Sequence, residues 1–195
     1  MLNNIILASK SEVRKKILEK NNILCDVEPS NVDEDIVKLS LLNKKASPEI
    51  ISKNLAELKA NKISLKNEER IVLGADSVID LEGELISKPQ NRKEALIILR
   101  KLNGKEHHLI SSVCISKNGA MVWNHTDSSE LKMKNFSDNE LLEYLKKIET
   151  ETLLDYGVYQ VEAEGLNLFE YIKGDRNSIM GLPINAIINY IRNYK

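Results

Sequence analysis

The chain begins with an apolar run that changes to a helical spacing of apolar residues. Residues 5–8 are all apolar, which is typical of a short buried strand. Ser11 follows as a helix N-cap residue, and Val13, Ile17 and Leu18 then recur at helical spacing. This pattern predicts a strand that leads directly into the N-terminus of a helix.

The longest apolar run, residues 71–79, is interrupted by one carboxylate, Asp76. A run of this length predicts a buried strand. The segment before it predicts a helix, because Ser47 is an N-cap residue, Pro48 suits the first helical position, and the pattern continues to about Lys62.

Shorter runs and capping signals predict the remaining elements. Predicted strands cover residues 23–27, 109–115, 120–123 and 168–172, and further helices begin at Asn91, Ser137 and Pro183. Residues 174–178 are predicted to form a loop. Strands and helices mixed in this way, without repeats or linkers, predict an α/β or α+β fold with a mixed sheet, in one domain over residues 1–195.

Composition limits the possible partners. Of the 195 residues, 42% are hydrophobic and 29% are charged, which is typical of a globular protein that can bury a core. The formal net charge of −1 provides no general attraction for nucleic acid or a membrane, so neither is expected as a partner. Any bound anion must therefore be held by a local cluster of cations.

The first apolar run has about five residues, which is too short for the apolar region of a signal peptide. No stretch approaches the roughly 20 apolar residues of a membrane span. A cytoplasmic location is therefore expected. Cys25 and Cys114 lie far apart in apolar contexts, so they are expected to be buried, reduced thiols rather than metal ligands.

Two carboxylates are candidates for chemistry. Asp76 lies within the run 71–79, where an unpaired buried charge would cost several kcal/mol. It must therefore be paired, hydrogen-bonded, bound to a metal, or placed at a strand end in a cleft. Glu34 ends an acidic loop after a predicted strand, where a solvated carboxylate is the ordinary alternative.

Cations accompany these carboxylates along the chain. Ser9 precedes a predicted helix N-terminus, which favours an anion, and Arg14 follows one turn later. Lys59 lies on the helix that begins at Pro48, and Lys88 is held extended by the proline after it. Each residue alone fits an ordinary cap or surface charge. Together with the two carboxylates, they suit a site for magnesium and a polyphosphate.

These segments, taken in order, resemble the Maf family of nucleotide pyrophosphatases. The matching motifs span nearly the whole chain: residues 7–14 (LASKSEVR) resemble the L-A-S-x-S-P-x-R signature, 32–34 (VDE) the loop glutamate, 55–60 (LAELKA) the L-A-x-x-K-A helix, 73–78 (LGADSV) the G-A-D-T/Q-V strand, 88–89 (KP) the K-P that follows, 102–107 (LNGKEH) the L-x-G-x-x-H, and 159–183 the closing region.

The resemblance implies a two-lobed α/β fold around an elongated mixed sheet, with the active site in the cleft and usually a homodimer. It implies hydrolysis of a nucleoside triphosphate between the α- and β-phosphates, with Mg²⁺ or Mn²⁺ as cofactor. The implied roles are as follows: Asp76 as proton acceptor and metal ligand, Glu34 as metal ligand, and Ser9, Arg14, Lys59 and Lys88 as phosphate-binding residues.

The same family resemblance singles out three positions that are expected to determine which base is preferred. Family members that prefer thymidine and uridine triphosphates usually have an arginine in place of Val13 and a glutamine in place of Glu162. Members that prefer 7-methyl-GTP usually have tryptophan and glutamate there. Glu162 therefore points to the 7-methyl-GTP branch, whereas Val13 offers no stacking surface and Ser77 replaces the usual threonine or glutamine.

Two functions of other classes stay open at this point. Members of the family have been linked to arrest of septum formation, which could require nucleotide binding without turnover. The presence of Glu34, Lys59, Asp76 and Lys88 argues against an inactive enzyme. A structural or partner-binding α/β domain is the second alternative, in which the motifs serve only turns and caps.

Overall fold

A computed structural model describes residues 5–161 and 164–193, so the predicted specificity residue Glu162 lies outside the described residues. Within these ranges the chain forms one mixed sheet with helices around it. The strands are β1 (Ile5–Leu7), β2 (Cys25–Val27), β3 (Ile71–Leu81), β4 (Glu84–Ile86), β5 (Glu106–Lys117), β6 (Ala120–Met133) and β7 (Phe169–Lys173). The helices are α1 (Glu12–Lys20), α2 (Glu34–Asn43), α3 (Pro48–Ser64), α4 (Arg92–Leu102), α5 (Asp138–Lys146), α6 (Thr150–Tyr156), α7 (Arg176–Ile179) and α8 (Ile184–Asn193), with a 3₁₀ helix at Glu164–Leu168.

The sheet has the strand order β2-β1-β3-β5-β6-β7, and β4 pairs with β3 off this path. β1 runs parallel to β2 and β3, and the other pairings are antiparallel. The predicted α/β fold with a mixed sheet is therefore confirmed. The single sheet supports the predicted single domain over residues 1–195, which stays a prediction.

On one side of strand β3, the two ends of the strand pair with different strands. On one side, β1 pairs with residues 71–73 and β4 pairs with residues 79–81. Between these pairings, residues 74–78 have no strand beside them on that side among the described elements, while β5 pairs along the other side. This gap in the sheet edge contains Asp76.

The hydrophobic core is divided at the same place. Around the first half of β3, α3 packs on one face of the sheet through Ala56, Ala60 and Ile63, and helices α1 and α8 pack on the other face. Around the second half, β4 and helices α4, α5 and α6 enclose a separate apolar cluster. The two parts meet along β3, which places Asp76 between them.

Helix starts were predicted more accurately than strand lengths. Ser47 and Ser137 cap α3 and α5, and Ser137 with Glu140 forms a full capping box. The predicted strand 120–123 was too short, because β6 continues to Met133. The added residues are largely polar, so they give no apolar signal, and they pair with β5. The predicted loop 174–178 contains the start of α7, which Asp175 caps. Helices α2 and α6 were not predicted.

No helix among the described residues combines the length and the apolar character that crossing a membrane requires. Cys25 and Cys114 are free thiols, as expected, and Cys114 is buried, whereas Cys25 is only partly buried.

Candidate active site

The site lies where α3 packs against β3. The buried face of α3 carries Leu55, Ala56, Lys59 and Ala60 at helical spacing, so Lys59 points into the molecule rather than into solvent. Gly74 of β3 allows this close packing, because a Cβ atom there would lie 2.2 Å from the Ala56 carbonyl oxygen.

Lys59 joins two carboxylates at the centre of the site. Its Nζ lies 2.7 Å from Asp76 Oδ1 and 2.6 Å from Glu34 Oε1. Lys59 and Asp76 are 6% and 4% exposed, so this pair is desolvated, whereas Glu34 reaches it from the first turn of α2. The predicted residues Glu34, Lys59 and Asp76, which are far apart in sequence, therefore meet at one point.

The pKa values of the two carboxylates depend on burial and on the nearby cations. Burial raises the pKa of Asp76, and the positive charges of Lys59 and Arg14 oppose that effect. Burial also acts to raise the pKa of Glu34, but Lys59 and Lys38 outweigh it and hold this pKa at about 2. Glu34 therefore stays ionised throughout the physiological pH range.

Arg14 is fixed by hydrogen bonds from its guanidinium group. Nε donates to the Gly181 carbonyl at 2.9 Å, and Nη1 donates to Ser9 Oγ at 3.1 Å and to the Ala75 carbonyl at 3.0 Å. Nη2 donates to Ser77 Oγ at 3.2 Å. Arg14 therefore fills part of the gap beside β3 and holds its positive charge in one place.

Lys88 follows β4 and approaches from the opposite part of the molecule. Its Nζ donates to the Asp155 carbonyl at 2.5 Å. Desolvation lowers the pKa of Lys88, and the charges of Arg14 and Lys59 lower it further, while Glu34 and Asp76 act against them. The cationic groups are therefore close enough to repel one another, an arrangement that an anion would relieve.

These groups face one cleft of about 550 Å³, which is within the usual range for small-molecule sites. Its charged part is formed by α1, α2, α3 and the centre of β3. Its apolar part lies further along β3 and is formed by Ile79, Leu85, Ile98 and Leu109, with Tyr156 and Tyr159 nearby. The cleft thus offers a polar part and an apolar part to one ligand.

The carboxylates fit a divalent metal. Asp76 Oδ2 is buried and has no hydrogen-bond partner among the described residues, so one carboxylate oxygen of the site is left unpaired. Asp76 and Glu34 provide the oxygen donors that Mg²⁺ and Mn²⁺ prefer. Among the described residues no cluster of three or more His, Cys, Asp or Glu is found, so a metal here would complete its coordination with substrate oxygens and water.

Of the three predicted specificity residues, Val13 and Ser77 lie in the described part of the structure. Val13 lines the cleft and also packs against the core. Ser77 lines the cleft, but its hydroxyl accepts a hydrogen bond from Arg14 and is hydrogen-bonded to Ser111 Oγ at 2.9 Å.

The sequence analysis did not identify Lys38 as a residue of the cleft. Lys38 lines the cleft and lies one helical turn after Glu34, a spacing that could have identified it.

The fold and the site define an α/β protein with a cleft lined by cations and by two carboxylates that share one lysine. The chain matches the family described as Maf-like protein over residues 4–194, and it belongs to this family.

Relatives with curated names agree with this assignment. The nucleoside triphosphate pyrophosphatase of Pelagibacter ubique is 65% identical over 192 residues, with 98% of each chain covered. The protein of the same name from a Ruegeria species is 39% identical over 191 residues, with 98% of this chain and 96% of the relative covered. The solved Staphylococcus aureus Ham1 protein has a TM-score of 0.48 and 14% identity, covering 98% of this chain and 99% of its own, a level of similarity that decides nothing further.

Proposed function

We propose that this protein is a nucleoside triphosphate pyrophosphatase that releases a nucleoside monophosphate and pyrophosphate in the cleft beside β3. The curated relatives carry that activity in their names and match nearly the full length of the chain. The observation that carries the proposal is Lys59 bridging Glu34 and Asp76, because it assembles carboxylates and a cation at one buried point.

Asp76 is the proposed proton acceptor. A water molecule that attacks the α-phosphorus must lose a proton, and Asp76 Oδ2 is a carboxylate oxygen with no other partner. The raised pKa of Asp76, caused by burial, makes it a stronger base than an exposed aspartate. Its link to Lys59 keeps the carboxylate in one orientation.

The cations of the cleft stabilise the leaving pyrophosphate. Arg14, Lys59 and Lys88 place positive charge where negative charge accumulates on the phosphate oxygens, and Ser9 orients Arg14. Asp76 and Glu34 are the residues proposed to hold Mg²⁺ or Mn²⁺. When bound, such a metal acts as a Lewis acid towards the phosphate oxygens.

For the base, we propose a preference for 7-methyl-GTP or a related modified purine nucleotide. Glu162 can accept hydrogen bonds from the N1–H and N2–H₂ edge of guanine or complement a cationic methylated base. The apolar part of the cleft, with Ile79 and Leu109, suits the ring. A homodimer, as the family resemblance implies, and a cytoplasmic location complete the proposal.

The test is turnover of a panel of triphosphates with Mg²⁺: dTTP, UTP, CTP, GTP and 7-methyl-GTP, with monophosphate and pyrophosphate as readout. Asp76→Asn should lower kcat by about 10²–10⁴-fold, because it removes the base. Asp80→Asn is the matched control: Asp80 lies on the same strand but accepts a hydrogen bond from the Gly83 amide in the β3–β4 turn.

Near wild-type turnover by a folded Asp76→Asn protein would remove Asp76 from its proposed role. A preference for dTTP or UTP would contradict the proposed base. Nucleotide binding without any turnover across the panel would favour the regulatory binding protein instead.

A further inference from the structure

Helix α2 carries a second lysine into the cleft. Lys38 lies one turn after Glu34, and its side chain is 17% exposed although α2 has no buried residue among its ten. Its stem therefore lies against the protein, and the residue lines the cleft.

Lys38 is the weaker of the two lysine partners of Glu34. Lys38 Nζ lies 3.4 Å from Glu34 Oε2, a long contact, whereas Lys59 Nζ lies 2.6 Å from Glu34 Oε1. The stronger partner of Glu34 is thus Lys59.

Cations exceed carboxylates along the described cleft wall. The cations are Lys10, Arg14, Lys38, Lys59 and Lys88, and the carboxylates are Glu34, Asp76 and Asp155. A triphosphate that carries one divalent metal retains net negative charge. The surplus of positive charge in the cleft therefore matches a metal-bound triphosphate better than an uncharged ligand.

The position of Lys38 indicates which part of a nucleotide it contacts. The apolar residues Ile79, Leu85 and Leu109 form the part of the cleft beyond Asp76, where a base can be buried. Lys38 stands beside Glu34, in the charged part. A nucleotide with its base in the apolar part directs its phosphates towards α2.

We propose that Lys38 is a substrate-binding residue that contacts the β- or γ-phosphate and, after cleavage, the pyrophosphate product. This inference rests on the proposed pyrophosphatase activity and adds a residue that the motifs of the family resemblance do not include. Lys38 leaves its weak contact with Glu34 and donates to a phosphate oxygen when the substrate is present.

The experiment compares Lys38→Met, Lys38→Arg and Lys53→Met in the full chain, measuring kcat and KM for the best triphosphate. Lys53 is the matched control, because it forms the same i,i+4 pair with Glu49 on α3 but does not line the cleft. We expect KM to rise about tenfold in Lys38→Met, the loss of one charge-assisted hydrogen bond, with kcat within about threefold of wild type. Lys53→Met should keep KM within about twofold of wild type, and Lys38→Arg, which keeps the charge, should have a KM between those of wild type and Lys38→Met.

Product inhibition separates a phosphate contact from a structural role. In Lys38→Met, pyrophosphate should inhibit about tenfold more weakly, whereas inhibition by the nucleoside monophosphate should stay unchanged. A loss of kcat without a rise in KM would overturn the proposal. Equal weakening of the inhibition by pyrophosphate and by the nucleoside monophosphate would overturn it as well. Wild-type protein without turnover would instead refute the pyrophosphatase function itself, so the two failures are distinguishable.

Discussion

At the scale of single residues, Lys59 has the central position. It is buried on α3 and bridges two carboxylates, so it offsets charges that would otherwise be unpaired in a desolvated place. Asp76 and Lys59 are consequently structural residues as well as members of the proposed active site.

Replacing Lys59 by Met should therefore destabilise the protein by about 3–5 kcal/mol, because it leaves buried Asp76 without its partner. Chemical denaturation measures the free energy of unfolding. Lys62→Met is the control, since Lys62 lies on the same helix but donates to the exposed Asn31 carbonyl rather than to a buried carboxylate. The double variant Lys59→Met, Asp76→Asn should lose less than the sum of the single variants, and additive losses would contradict a direct coupling.

At the scale of secondary structure elements, the packing of α3 on β3 sets the distance between Lys59 and Asp76. At Gly74 the two backbones come close together, since an added Cβ would lie 2.7 Å from the Ala60 amide nitrogen and 2.2 Å from the Ala56 carbonyl oxygen. Both obstacles are backbone atoms, so a larger residue must displace α3.

Gly74→Ala should destabilise the protein by about 1–3 kcal/mol through overpacking and should also lower kcat, because α3 moves away with Lys59. Thermal unfolding and turnover measured well below the transition check both effects. Ala75→Gly, at the next position of β3, is the control: it costs about 0.5–1 kcal/mol as a glycine in a strand but leaves the α3 contact intact. Equal loss of kcat in both variants would show that stability alone is responsible.

The elements also show what the sequence could and could not predict. Asp76 was identified because a carboxylate within an apolar run needs a partner, and α3 was identified from its Ser47-Pro48 start. Helix α2 escaped prediction because its apolar residues Ile36 and Leu39 are exposed rather than arranged on a buried face. The ion pairs of Lys59 depend on tertiary packing between α2, α3 and β3, which no local pattern contains.

At the scale of the whole molecule, the two parts of the core share one sheet, and the cations of the cleft are built into both parts. Arg14 and Lys59 belong to elements around the first half of β3, and Lys88 follows β4 beside the second half. The cations of the cleft thus come from elements on both halves of one continuous sheet.

Removal of divalent ions should therefore abolish turnover but leave the fold intact. Lys59 already compensates Glu34 and Asp76, so chelation with EDTA should shift the melting temperature by less than about 4 °C, equivalent to roughly 1 kcal/mol or less. Differential scanning calorimetry with and without EDTA measures the shift. A large decrease would mean that the carboxylates depend on the metal for their neutralisation, in conflict with the observed ion pairs.

The gap beside β3 has a further consequence, for self-association. Residues 74–78 have no strand beside them on one side among the described elements, and unpaired strand edges can pair with a strand of another chain and seed aggregates. Here β1 and β4 limit the open edge to a short stretch, and the charged guanidinium of Arg14 is bonded to its Ala75 carbonyl. An inward-pointing charge is one of the ways in which proteins block such pairing. The guanidinium of Arg14 thereby occupies a backbone acceptor that a strand of another chain would need for pairing.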